Sequence, residues 1–250
     1  MSNKPILEVE KLNVGYQTKD GEIHAVQDVS FKVFSNEVFG IAGESGCGKS
    51  TLIKAIMRLL PENGKMDAHS IKYKDQKIDR MSENIFRNEV LWAQISLVPQ
   101  SAMNSLNPVY KVGEQIVEAI QAHTSQGKKE ARERVEELFD VVGLQSEFMD
   151  SFPHEFSGGM RQRAMIAMAL ALDPGLIIMD EPTTGLDVLV QEKILRRIRE
   201  IRKQIRSSII LITHDIAVIA EMSDRIAVMY GGRIMEQAKS IDLFESPYHP

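Results

Sequence analysis

Residues 43–50 read Gly43-Glu44-Ser45-Gly46-Cys47-Gly48-Lys49-Ser50. They follow the apolar run Val38-Phe39-Gly40-Ile41-Ala42 and precede Thr51-Leu52-Ile53-Lys54-Ala55-Ile56-Met57, which has helical spacing. Glycines let consecutive backbone N–H groups turn inward around a polyphosphate, and the positive end of the following helix points at the same anion. Lys49 supplies a point charge for the β- and γ-phosphates, and the Ser50 hydroxyl is placed to ligate Mg²⁺. A glycine-rich turn can match part of this pattern by accident. The strand before, the helix after and the fixed glycine, lysine and serine positions instead mark a phosphate-binding P-loop in its proper context. A strand must hold the start of such a loop and a helix its end, so the chain is expected to be α/β.

With 250 residues, 43% of them hydrophobic, the chain can bury a large core, as one domain or as a core with a subdomain. Its formal net charge of −5 provides no overall basic field for nucleic acid or an acidic membrane. Cys47 is the single cysteine, so there is no disulfide framework, which fits a reducing compartment. The start, Met1-Ser2-Asn3-Lys4-Pro5, carries no long apolar leader, and no later run approaches the ~20 apolar residues of a membrane span. The expectation is a cytoplasmic chain that reaches a membrane only through a partner.

Alternating apolar and polar residues predict strands from Ile6 to Tyr16, Ala25 to Val33 and Ser70 to Tyr73, an antiparallel group beside the nucleotide core. Lys19-Asp20-Gly21 is a turn signal between the first two. From about Asn107 the texture becomes helical. Gly113 to His123 and Lys128 to Val142 carry helical periodicity, with Val135, Leu138, Phe139 and Val142 opposite Glu130, Arg132, Glu133 and Glu137. This predicts an inserted helical subdomain over about 107–170. Buried-strand runs follow at Leu176–Met179, Ser208–Ile212 and Arg225–Met229. The fold class expected is a P-loop NTPase core with a RecA-like mixed or parallel sheet, an antiparallel β subdomain and the inserted helices, all in one nucleotide-binding domain over residues 1–250.

Leu176-Ile177-Ile178-Met179-Asp180-Glu181 is an apolar strand ending in two carboxylates. Ligands in open α/β sheets bind beyond the carboxyl ends of strands, so Asp180 and Glu181 are expected on the P-loop's edge. Asp180 is the candidate partner of Mg²⁺ through its hydration shell, and Glu181 the candidate base for a water attacking the γ-phosphate. Alone the pair also reads as a solvated strand end before the turn Pro182-Thr183-Thr184-Gly185; beside a P-loop the functional reading is preferred. A second anion cradle, Phe156-Ser157-Gly158-Gly159-Met160-Arg161-Gln162-Arg163, precedes an apolar helical run. One ATP hardly needs two such cradles from one subunit.

These residues carry a resemblance. The P-loop, Ser157-Gly158-Gly159, Asp180-Glu181, Gly185-Leu186-Asp187 and Thr213-His214-Asp215 stand in the order of an ATP-binding cassette ATPase. Gln100, after Ile95-Ser96-Leu97-Val98, is similar to that family's Q-loop glutamine, and Tyr16 to its adenine-stacking aromatic. The resemblance runs from about Leu7 to Arg233. It implies a head-to-tail dimer with two ATP molecules sandwiched at the interface. Ser157 and Gly159 of one subunit would contact the γ-phosphate of the ATP held by Lys49 and Ser50 of the other. Gln100 would sense the metal and attacking water, His214 would contact the γ-phosphate, and Asp187 would lie at the subunit interface. Met160 stands where many relatives have glutamine, and Phe156 where leucine is usual; neither position supplies the main phosphate contacts.

The segment Pro99-Gln100-Ser101-Ala102-Met103-Asn104-Ser105-Leu106-Asn107-Pro108, with Val112-Gly113-Glu114-Gln115, resembles ATPase subunits of oligopeptide, dipeptide and nickel importers. So does the ending Ser246-Pro247-Tyr248-His249-Pro250. That likeness implies a prokaryotic uptake transporter, with peptides the leading cargo and nickel or oligosaccharides as alternatives. The implied partners are permease subunits, which receive the region after the Q-loop, a second ATPase subunit and, indirectly, a binding protein. The implied location is the cytoplasmic face of the membrane. Relatives continue into a C-terminal extension, so a chain cut at the end of the nucleotide-binding domain is the expectation here. The competing class is a soluble cassette ATPase acting on nucleic acid or ribosomes. A second cassette or a long coiled coil would support it, and the chain shows neither.

Other residues read plainly. His24, His69, His123 and His249 have no metal-ligand spacing and read as surface or packing residues. Met165 and Met168 read as core filler. Lys193, Arg196, Arg197, Arg199, Arg202, Lys203 and Arg206 form a basic face over inward-packing Ile194, Leu195, Ile198 and Ile201. Cys47 is a small side chain that fits within the loop.

Overall fold

The computed structural model describes residues 4–100 and 105–248, with Lys203 as backbone only. The stretch 101–104 after Gln100, the terminal His249 and Pro250, and residues 1–3 lie outside the described residues. Internal contacts divide the chain into two compact units, residues 1–87 with 208–250, and residues 88–207.

The chain enters the first unit through β1 (Pro5–Thr18) and β2 (Gly21–Phe34), an antiparallel hairpin closed by Thr18 opposite Gly21. Leu7, Leu12 and Val14 of β1 pair with or lie beside Val33, Val29 and Val26 of β2, and all six are buried. Both strands run further toward the turn than their apolar alternation indicated. Next come β3 (Val38–Ala42), helix α1 (Lys49–Ile56), and β4 (Gly64–Asp67), β5 (Ser70–Tyr73) and β6 (Gln76–Lys77), followed by the short helix α2 (Glu83–Ile85). Strands β4 and β5 both pair antiparallel with β1, and β6 pairs with β5, which completes the antiparallel sheet read from the alternation. The alternation missed β4 and β6. The rings of Phe31 and Phe39 stack at 5.3 Å and join this sheet to β3.

The second unit begins with β7 (Ile95–Val98) and the helices α3 (Val112–His123), α4 (Lys128–Val142) and α5 (Gly158–Leu170). Helix α4 matches the expected span at both ends. Glu130 Oε2 accepts from the Gly127 amide at 3.1 Å at its start, and Gly143 ends it with φ of 70°. Its stripe Val135, Leu138, Phe139 and Val142 is buried as the periodicity requires. Ile116 and Ile120 of α3 and Ala164, Met165 and Ala167 of α5 are buried too. The close α3 approach is made at Gly113, where a Cβ would meet the Met149 carbonyl oxygen at 2.7 Å. Strand β8 (Leu176–Asp180) pairs parallel with β7, Ile95 opposite Leu176 and Val98 opposite Met179, and is buried along its whole length. Helix α6 (Val188–Gln204) buries Ile194, Leu195, Ile198 and Ile201 beneath its basic face. Arg206 lies past its end.

The chain then returns to the first unit with β9 (Ser208–Ile212), helix α7 (Ile216–Met222), β10 (Arg225–Tyr230), β11 (Arg233–Lys239) and helix α8 (Ser240–Glu245). Strand β3 runs parallel to β9 and to β10, so the P-loop springs from a strand held on both sides. Strand β11 folds back on β10 across Gly231-Gly232, both with positive φ, the backbone of a two-residue hairpin turn. Helix α7 lies so close on β3 that a Cβ at Gly40 would meet Ile219 Cγ1 at 2.6 Å. Beneath it, Ile219, Ile226 and Leu243 form one apolar cluster. At the other end of β3, Arg225 Nη1 donates to the buried Glu37 carboxylate at 3.0 Å. Loss of water from Glu37 raises its pKa above the usual carboxylate value, opposed by the Phe34 amide and by Arg225. The architecture is α/β, with parallel strands, helices and an antiparallel β sheet.

Candidate functional site

In the first unit the site is built on the turn from β3 into α1. Gly43 and Gly48 have φ of 154° and 109°, and a Cβ on either would meet a backbone oxygen, that of Met229 at 2.2 Å or of Ala25 at 2.4 Å. Both glycines are therefore dictated by space as well as by torsion. Lys49 is buried, 5% exposed, and its ammonium donates to the carbonyls of Gly43 and Glu44, each at 2.7 Å. Cys47 Sγ lies 3.8 Å from the same nitrogen. Glu44, Ser45 and Gly46 are exposed along the outside of the loop. The first turn of α1 carries no acid, and no side chain caps it at Gly48. A buried cation and a helix end without its own acidic partner fit a phosphate.

Tyr16 stands at the edge of the same unit, its hydroxyl donating to Thr51 Oγ1 at 3.3 Å on α1. The half-buried ring thus sits beside the helix that the P-loop opens. His214 is exposed after β9, and Thr213 and Asp215 form the local turn: the Asp215 amide donates to Thr213 Oγ1, and Asp215 caps α7 through the Val218 amide. A cavity of about 460 Å³ joins His214 to Gly43, Glu44 and Ser45, with Ile216 and Phe244 on its apolar side. The structure thus brings P-loop, Tyr16 and His214 into one unit.

In the second unit Asp180 ends β8 and is 7% exposed. The next residue, Glu181, has φ of 49°, unusual for a side chain this size, and half of it is buried. Gln100 Nε2 and Thr184 Oγ1 both donate to Glu181 Oε2, each at 2.8 Å. The Thr184 amide also donates to the Glu181 carbonyl at 3.2 Å, closing a turn with Pro182 at its second position. The structure therefore brings Gln100, Asp180 and Glu181 together, and it adds Thr184. In the sequence Thr184 reads as part of a plain turn, because the hydroxyl's target depends on the left-handed backbone at Glu181.

Ser157 is the N-cap of α5, its Oγ accepting from the Met160 amide at 3.2 Å, and Gly158 and Gly159 form the first turn. Gly159 is buried, and a Cβ there would meet Val190 Cγ1 at 2.6 Å. No acid stands in that first turn. Asp187 is exposed and caps α6 through the Val190 amide at 3.0 Å, so its carboxylate already holds a helix end. Arg163 and Arg197 donate to the Gly143 and Asp140 carbonyls at the end of α4, which accounts structurally for Arg197 of the basic face. The other histidines match their plain reading: His24 and His69 are exposed and His123 is half-buried.

A family model described as ABC transporter matches residues 26–184, and one described as AAA domain, putative AbiEii toxin, Type IV TA system, matches residues 152–220. The dipeptide transport ATP-binding protein DppD of Bacillus subtilis is 43% identical over 98% of this chain and 74% of its own length. The oligopeptide transport ATP-binding protein OppD of Salmonella typhimurium is 44% identical over 98% of this chain and 73% of its own. Among solved structures, the dimeric post-hydrolysis state of the ATP-binding cassette MJ0796, bound to ADP and Pi, matches with a TM-score of 0.80 at 26% identity, over 94% of this chain and 98% of that one. CbiO1 of Clostridium perfringens, part of the ABC transporter complex cbiONQ, matches with a TM-score of 0.79 at 29% identity, over 97% and 91%.

Proposed function

This chain belongs to the ABC transporter family and is an ATP-binding ATPase, and from that premise we propose that it energises a prokaryotic importer of peptides. One observation carries the cargo class. The likeness to dipeptide and oligopeptide transport ATP-binding proteins extends over 98% of the chain at 43% to 44% identity, well beyond the shared nucleotide motifs. Nickel and oligosaccharides are the alternative cargoes. The partners are permease subunits and a second ATPase subunit, and the working location is the cytoplasmic face of the membrane.

In the proposed mechanism Tyr16 stacks the adenine, and the P-loop from Gly43 to Thr51 wraps the phosphates. Lys49 turns from its loop carbonyls to the β- and γ-phosphates. The oxygens of Ser50, Gln100 and Asp180 are hard donors too few for an all-protein cage, which suits Mg²⁺ held together with substrate phosphates. When bound, the ion supplies charge neutralisation on the β- and γ-oxygens. Glu181 takes the proton of the attacking water, and His214 contacts the γ-phosphate. Ser157, Gly158 and Gly159 of a second subunit close on that phosphate in a head-to-tail dimer, with Asp187 at the interface. Each phosphate then bridges two anion cradles, and hydrolysis removes the bridge.

Co-purification from native membranes tests the class. Two polytopic permease subunits are expected; ribosomes or DNA in their place would overturn the transport reading and favour a cassette ATPase acting on nucleic acid.

A further inference from the structure

We propose that Thr184 is a positioning residue for hydrolysis: its hydroxyl sets the rotation of the Glu181 carboxylate while Gln100 is engaged elsewhere. The inference rests on the reading of Glu181 as the base. The last torsion of a glutamate side chain joins sp³ to sp² carbon and has a broad, shallow minimum, so a carboxylate that must meet a water along one line needs an external hold. Two donors, Thr184 Oγ1 and Gln100 Nε2, supply it on the same oxygen, Oε2, each at 2.8 Å.

The two donors are not equivalent. Gln100 is exposed and reaches Glu181 from two residues past the end of β7, 81 positions away in sequence, whereas Thr184 belongs to the turn that starts at Glu181 itself. The Thr184 amide donates to the Glu181 carbonyl, and buried Pro182 and Thr183 fill the turn between them. Its threonine methyl restricts χ1, so the hydroxyl is delivered with little loss of freedom. In the proposed mechanism Gln100 also ligates the metal. An amide that turned to the metal would give up its bond to Oε2, and Thr184 would still donate to that oxygen. In the step itself the water O–H bond breaks toward the Glu181 carboxylate as the water oxygen bonds to the γ-phosphorus. The bond from that phosphorus to the bridging oxygen breaks and leaves ADP. Glu181 gains one proton, the P–O bond pair leaves with ADP, and no atom changes oxidation state.

The test compares kcat, KM for ATP and ATP affinity for the parent chain, Thr184→Val, Thr184→Ser, Glu181→Gln and the double variant Glu181→Gln/Thr184→Val. Thr184→Val is expected to lower kcat about 10-fold with KM changed less than about twofold, because the hydroxyl acts on orientation and not on nucleotide binding. Thr184→Ser is expected to recover kcat to within about threefold of the parent, since it keeps the donor and loses only the methyl restraint. In the Glu181→Gln background the valine substitution is expected to cost nothing further. Parental kcat in Thr184→Val, a matching loss of ATP affinity, failure of serine to rescue, or a further loss in the double variant would each overturn the proposal. Parental turnover in Glu181→Gln instead removes the base reading on which it stands, so the two failures are told apart.

Discussion

The Lys49 ammonium donates to the Gly43 carbonyl at 2.7 Å, which ties the cation of the P-loop to the residue that opens the loop. The charge is buried and already sits where the loop's carbonyls converge, so it reaches a phosphate by exchanging one set of oxygens for another. Lys49→Ala is expected to weaken ATP binding by about 100-fold or more, because a phosphate countercharge is lost in a poorly solvated place. Calorimetric titration with Mg·ATP checks this, with a thermal melt to show that the variant is folded. Affinity within about tenfold of the parent would take Lys49 out of the role.

Glu181→Gln keeps the shape of the side chain and an acceptor oxygen for Thr184, but it cannot take a proton from water. ATP binding is expected to survive while turnover falls by roughly 100-fold or more. The unhydrolysed nucleotide should then hold two subunits together, visible as an ATP-dependent rise in mass by light scattering. Near-parental hydrolysis would exclude Glu181 as the base.

Much of the site was legible because its chemistry is written in residue types at fixed spacing. Gly43 and Gly48 occupy positions that no side chain can fill, so the P-loop is visible before any fold is known. Strand β8 shows as Leu176 to Met179 because a strand buried along its whole length reads as an unbroken apolar run. Helix α4 could be bounded closely, since its apolar stripe Val135, Leu138, Phe139 and Val142 keeps the helical period through the last residue. Other parts carry no such signal. Strand β4 has four residues and pairs with β1 alone, and β11 exposes alternate residues, so neither stands out from loop. The near ends of β1 and β2 were cut short because exposed Glu22, Ile23 and His24 break the apolar alternation while still pairing across the hairpin. The φ of 49° at Glu181 and the aim of the Thr184 hydroxyl are three-dimensional facts that residue type does not encode.

The Glu37–Arg225 pair gives a stability prediction with a defined pH sense. Glu37 is 7% exposed, and its pKa lies above the usual value of 4.5 because burial penalises its charge more than the Phe34 amide and Arg225 favour it. A raised carboxyl pKa means that the folded state holds the proton more tightly than the unfolded one. Its contribution to stability is therefore fully present below pH 4.5 and is lost as pH rises through the folded value. Arg225→Met removes the cation and leaves the carboxylate buried without its charge partner, at an expected cost of about 3 kcal/mol at pH 8. The cost should shrink toward pH 5, where a proton neutralises the buried carboxylate left without its partner. Denaturant unfolding of parent and variant at both pH values reads the difference, and an equal loss at each would mean that packing, not charge, is what Arg225 supplies.

Ser157 caps α5 with its hydroxyl, and Gly159 packs against Val190, so the start of α5 is crowded on one side while Ser157 itself is exposed on the other. Ser157→Arg is expected to fill the exposed side and cost the helix its cap, about 1 kcal/mol of stability. It leaves the P-loop residues of its own chain untouched. ATP binding by the single subunit should stay near the parental value, whereas ATP-dependent dimerisation and hydrolysis should disappear, because the second phosphate cradle is blocked. Mixing Ser157→Arg with Lys49→Ala separates a shared site from a self-contained one. In a head-to-tail pair the arginine and the alanine fall in the same composite site, and the other site is assembled from two intact halves, so the mixture should recover hydrolysis that neither variant shows alone. No recovery over a range of mixing ratios, with both variants folded and Ser157→Arg still binding ATP, would count against a site shared between subunits.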